Sequence, residues 1–72
     1  SLPEADIIAA LFDLTPAEAR VARAVAGGQS PAELARETGL SPETVRTQLK
    51  LAFAKTSTSR QSELASLLAR LR

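Results

Sequence analysis

Apolar positions recur along this chain at spacings of three and four, and blocks pairing a hydroxyl residue with proline interrupt them. Thr15-Pro16-Ala17-Glu18 and Ser30-Pro31-Ala32-Glu33 each offer a hydroxyl at the N-cap, proline at the first helical position and glutamate at the third. In that order the hydroxyl accepts a free backbone N–H, the carboxylate reaches back to the cap's own N–H, and proline presets the first turn. Both blocks predict helix starts. Ser41-Pro42-Glu43-Thr44 repeats the hydroxyl and proline, with its carboxylate one place earlier but still at the positive end of the helix dipole. It predicts a third start at Pro42.

The stops match the starts. Gly27-Gly28 and Gly39 supply the left-handed backbone that ends helices from Pro16 and Pro31. The run Thr56-Ser57-Thr58-Ser59 competes for backbone hydrogen bonds and should break the chain after Lys55. Arg60 to Leu71 then reads as a last helix, with Leu64, Leu67, Leu68 and Leu71 at i, i+3, i+4 and i+7. Ahead of Thr15, Pro3 to Phe12 predicts a leading helix whose Ile7, Ile8, Leu11 and Phe12 form one apolar stripe. The expectation is five helices, an all-α chain.

Two of these helices, Pro31 to about Thr38 and Pro42 to about Lys55, are separated only by Gly39-Leu40-Ser41. A glycine-containing turn between a short helix and a longer one is the helix-turn-helix pattern. Leu34, Ala35, Leu40, Val45, Leu49, Ala52 and Phe53 are its expected internal packing, with Ala35 small enough for a close crossing. With Val45, Leu49, Ala52 and Phe53 inward, the opposite face of the longer helix carries Glu43, Arg46, Thr47, Lys50 and Ala54. Such a helix fits a DNA major groove, where Arg and Lys donate to guanine and Thr hydrogen-bonds or touches a thymine methyl. Solubilising charge is the blander account of the same side chains.

Charge favours the first account. Residues 1–43 hold three bases against seven acids, while residues 44–72 hold six bases against Glu63 alone, so the net +1 conceals a strongly dipolar chain. That asymmetry points to nucleic acid on the side of the longer helix. An anionic membrane fits less well, because this helix has Leu and Phe on the face its own core needs. Thr15, Ser30 and Thr44 lie at or beside helix starts, where free N–H groups favour phosphate, although capping alone accounts for the first two. Lys55 and Arg60 flank the break after the longer helix and are placed to clamp a DNA backbone.

Composition sets the remaining bounds. Of 32 hydrophobic residues fourteen are Ala, and the larger ones are eleven Leu, three Val, two Ile and two Phe. A chain of 72 residues buries only about 60% of its unfolded surface, so its core is marginal. Leu64, Leu67 and Leu68 are expected to serve that core, leaving Leu71 with Ala65 and Ala69 as a strip for a second copy. The chain has no His, Cys, Tyr, Trp or Met. Thiol and imidazole chemistry are therefore excluded, and with scattered carboxylates and no phosphate-loop glycine pattern we expect no enzyme, cofactor or metal site. No apolar run approaches a membrane span and no basic-then-apolar leader is present, so a cytoplasmic location is expected. Without Met at its start, Ser1 reads as the beginning of a domain cut from a longer protein.

The capped run from Leu14-Thr15-Pro16-Ala17-Glu18 through Ser30-Pro31-Ala32-Glu33-Leu34-Ala35, Thr44-Val45-Arg46-Thr47-Gln48-Leu49 and Phe53-Ala54-Lys55-Thr56 to Glu63-Leu64 resembles the LuxR-type (GerE/NarL-like) DNA-binding domain. The resemblance implies residues 1–13 as a leading or linker helix and 14–72 as a four-helix domain, the output module of a bacterial transcription regulator. It implies double-stranded DNA as partner and a sensory or receiver domain elsewhere in the protein. Arg46, Thr47 and Lys50 then face bases, and Thr15, Ser30, Thr44 and Lys55 lie near phosphates, to which the charge reading adds Arg60. It also implies a homodimer through the last helix, with Leu64, Leu67, Leu68 and Leu71 at the contact. Ala17 and Ala32 stand where family members often carry a base, and Gln48 replaces the more usual His. Fewer phosphate contacts imply a shallower salt dependence, about −0.9 per neutralised phosphate. A sigma-factor-like promoter-reading domain and a helical protein-interaction module are the alternatives.

Overall fold

In the computed structural model, which describes residues 2–71, five helices follow one another: α1 (Ala5–Phe12), α2 (Pro16–Ala26), α3 (Pro31–Thr38), α4 (Pro42–Thr56) and α5 (Gln61–Ala69). No strand occurs among the described residues, and the chain is all-α. Ser1 and Arg72, on which the readings of the chain start and of the last basic charge fall, lie outside the described residues.

The starts of α2 and α3 are built as the local sequence predicts. Thr15 Oγ1 accepts the Glu18 N–H at 3.1 Å while Glu18 Oε1 accepts the Thr15 N–H at 3.0 Å. Ser30 and Glu33 repeat this reciprocal pair at 3.1 and 2.8 Å. Ser41 Oγ accepts the Thr44 N–H at 3.1 Å, so α4 has a hydroxyl cap without a returning carboxylate. At the stops, Gly28 (φ 106°) and Gly39 (φ 76°) take the left-handed backbone, whereas Gly27 stays right-handed.

Four boundaries differ from expectation, among them the end of α5 at Ala69 rather than Leu71. α1 starts at Ala5, after Pro3, and its N-cap Glu4 makes no side-chain cap bond. α4 runs one residue beyond Lys55, because the Thr56 hydroxyl donates back to the Ala52 carbonyl at 2.8 Å and so enters the core satisfied. Ser57 takes the left-handed turn instead (φ 57°). α5 starts at Gln61, where Glu63 Oε1 reaches back to the Ser59 N–H at 2.8 Å and the Ser59 hydroxyl at 2.9 Å.

Helix α2 is the hub and packs against the other four. Its Ala19, Ala22 and Ala26 meet Ile8 and Leu14, Ala52 of α4, and Leu64 and Leu68 of α5 in one core cluster. Its Val21 and Val25 meet Leu34 and Ala35 of α3 and Val45 of α4 in a second. Alanine at the crossings matters because no side chain longer than a methyl separates the backbones. Two polar ties reinforce the hub: Arg23 Nε donates to the Pro3 carbonyl at 2.8 Å, and Gln61 Nε2 to the Val25 carbonyl at 3.2 Å.

The leading stripe does not form as one unit. Ile8 is fully buried and Phe12 half-buried, but Ile7 and Leu11 are 48% and 57% exposed. A helix this short has one core-facing line, and Ile7 and Leu11 lie beside it rather than on it. Leu40, expected inside the helix-turn-helix, is also exposed, since the left-handed Gly39 turns the chain outward just before α4.

Candidate nucleic-acid interface

Helix α4 is divided along its length. Val45, Ala52 and Thr56 are buried and Gln48, Leu49 and Phe53 half-buried, which fixes the inner face. The 3.6-residue repeat then puts Glu43, Arg46, Thr47, Lys50 and Ala54 on the other side, and all five are exposed. Arg46, Thr47 and Lys50, the expected base-facing residues, are thus brought onto one surface. Neither cation is hydrogen-bonded or ion-paired to another described residue, so both charges remain available.

Hydroxyls at two helix starts keep a proton in reserve for donation. Thr15 Oγ1 and Ser30 Oγ accept from backbone, and an accepting hydroxyl keeps its own proton to donate. Thr44 shares a hydrogen bond with Ser41 Oγ at 2.9 Å, and all three expected phosphate-side residues are exposed. Arg60 is exposed at the N-cap of α5 without a capping bond. No hydrogen bond joins Ser30 or Arg60 to the α4 face.

Lys55 is placed differently from the sequence reading. Its Nζ donates to Glu18 Oε1 at 2.7 Å, across 37 positions of sequence, so the charge expected at a phosphate is matched inside the fold. Glu18 is 4% exposed, and a buried carboxylate needs such a partner. The Lys55 ammonium first, and then the Thr15 N–H, hold the Glu18 carboxyl below the usual carboxylate range against the opposing effect of burial. Glu33 and Glu63 are lowered too, chiefly by the backbone N–H groups of Ser30 and Ser59. The spacing marked Glu18 only as a capping residue; its tie to α4 had no local signal.

The last helix corrects a second expectation. Leu64 and Leu68, assigned to a dimer contact by resemblance, are 0% exposed in the chain's own core and offer no surface to a second copy. Leu67 and Leu71 remain half-buried. Gln48 lines a crevice with Ala17, Arg20, Val21, Leu34, Thr38 and Leu40. Its buried carboxamide oxygen has no hydrogen-bond partner among the described residues. Sequence reasoning also passed over Leu51, an exposed leucine on α4 that a helical projection from Val45 and Ala52 would have placed outward.

Among the described residues no group of His, Cys, Asp or Glu is placed to hold a metal ion, and no helix is long and apolar enough to cross a membrane. Comparison with curated proteins gives no match, and neither does comparison with solved structures. Residues 13–68 match the family model described as bacterial regulatory proteins, luxR family, which takes in α2 to α4 and nearly all of α5 and leaves α1 ahead of it. With most of its length matched and its helices in this order, the chain belongs to the luxR family and carries that family's DNA-binding helix-turn-helix.

Proposed function

We propose that this chain is the sequence-reading output domain of a transcription regulator, and that α4 enters the major groove with Arg46, Thr47 and Lys50 toward the bases. The observation that carries this reading is the outward face of α4, where two unpaired cations and a hydroxyl share one exposed surface. Arg and Lys there donate to guanine O6 and N7, and Thr47 adds a hydroxyl and a methyl. Thr15, Ser30, Thr44 and Arg60 serve the phosphates, which set register without reading sequence. Lys55 is left out, because Glu18 already holds it.

Two copies bind together in this proposal, meeting through Leu67 and Leu71 rather than through the buried leucines. A half-site read by a single short helix gains specificity when a second copy reads its symmetry mate. A sensory or receiver domain elsewhere in the full protein would control that pairing, and a cytoplasmic location follows from the partner being DNA.

The test is selection of random duplexes by the domain at two salt concentrations, with sequencing of what is retained. Recovery of a two-fold-related motif, weakened by about 1–3 kcal/mol and relaxed at one base pair in Arg46→Ala, is the expected result. Retention without sequence preference would leave a backbone binder, and no retention even at low salt would favour a helical protein-interaction module.

A further inference from the structure

The outward face of α4 also carries an apolar ridge that its cations do not explain. Leu51 is 45% exposed, and among the described residues it is the one large exposed hydrophobic on this helix. It follows Thr47 by four positions and precedes Ala54 by three, so the Thr47 methyl, Leu51 and the Ala54 methyl line up along the side opposite Val45 and Ala52. Lys50 and Arg46 flank this line on one side and Thr44 on the other, all exposed. A leucine kept in water at the centre of a cationic surface is stabilised once something apolar covers it.

We infer that Leu51 is a specificity-determining residue that packs on the C5 methyl group of thymine in the major groove. This inference rests on the proposed reading of α4. The thymine methyl is the apolar group that base edges present in that groove. The cations beside Leu51 suit a polyanion and oppose a purely apolar partner, and the slender Thr47–Ala54 flank lets the leucine approach the groove floor. Lys50 supplies hydrogen bonds to a neighbouring purine while Leu51 reads the methyl, so the recognised step contains thymine at the position facing the third turn of α4.

Replacing thymine by 2′-deoxyuridine removes only this methyl and keeps the base pair and its hydrogen bonds. The experiment takes the motif recovered from random duplexes by the wild-type domain and substitutes each thymine singly. At the position facing Leu51, wild type should bind the uridine duplex about fourfold more weakly, the size expected for one buried methyl. Leu51→Ala should bind both duplexes nearly equally there, whereas Lys50→Ala should lose affinity for both and keep the fourfold ratio. A wild-type domain indifferent to uridine at every position, or a ratio unchanged in Leu51→Ala, would overturn the role of Leu51 while leaving α4 as the reading helix. Failure of the wild type to retain any duplex would overturn both readings. Unfolding of Leu51→Ala, checked by thermal melting, would contradict its exposed position and so the inference.

Discussion

The two core clusters of this small domain are built from different side chains and hold different things. The larger one joins Ile8, Leu14, Leu64 and Leu68 to four alanines, and it ties α1 and α5 to α2 and to the C-terminal half of α4. The smaller one has Val21, Val25 and Val45 with Leu34 and Ala35, and it seats α3 and the N-terminal half of α4 on α2. Long leucines against methyl-sized partners supply most of the burial. Valines restricted at χ1 contribute less area but allow fewer ways to pack. Stability is thus concentrated under α5, while the orientation of the Arg46 and Thr47 end of α4 depends on the stiffer, smaller cluster. One helix, α4, spans both, so its reading face is coupled to the whole fold.

Substitutions that separate the clusters would break or sharpen this contrast. Leu64→Ala removes one of the largest fully buried side chains and should cost about 2–5 kcal/mol, enough to unfold much of so small a domain. Urea denaturation followed by circular dichroism reads this directly, and a cost below about 1 kcal/mol would refute the larger cluster as the main support. Val45→Ala should cost less, about 2 kcal/mol from two lost methyl groups and the space they leave. Hydrogen exchange should then show α3 and the first turns of α4 opening while α5 stays protected. Uniform loss of protection would mean that the clusters act as one.

The smallest expected effect is acidic. Glu18, Glu33 and Glu63 are all held below the usual carboxylate range by hydrogen bonds made in the folded state. A lowered folded pKa contributes stability that is present above the unfolded value, about 4.3 for Glu, and is lost as pH falls through the folded one. Melting temperature should therefore drop below about pH 4.5 and stay nearly level above it. In Glu18→Gln, which removes the carboxylate joining α2 to Lys55 of α4, the acid limb should be shallower than in wild type. An unchanged limb would assign the acid sensitivity to Glu33 and Glu63.

Much of the architecture was legible because its signals are local. Thr15 with Glu18 and Ser30 with Glu33 act within one turn, and their spacing sufficed to place two helix starts correctly. The outward position of Arg46, Thr47 and Lys50 followed from one helix's periodicity. Illegible features depend on partners distant in sequence. Nothing near Lys55 indicates that it meets Glu18, and Leu64 differs from Leu67 only in what lies across from it in space. Ile7 and Leu11 read as core in a helical projection, yet α2 covers only the line through Ile8.

The sequence by itself determined the helix count, the starts of α2, α3 and α4, the helix-turn-helix spacing and the division of charge between the halves. Hydroxyls, prolines and glycines bias the nearest few residues, and charge is additive whatever the fold. Only the tertiary structure decided which of several apolar residues on each helix became core, and which cation was neutralised and which stayed free. Those outcomes come from packing and from pair distances between helices, and both exist only after α2 has gathered the other four around itself.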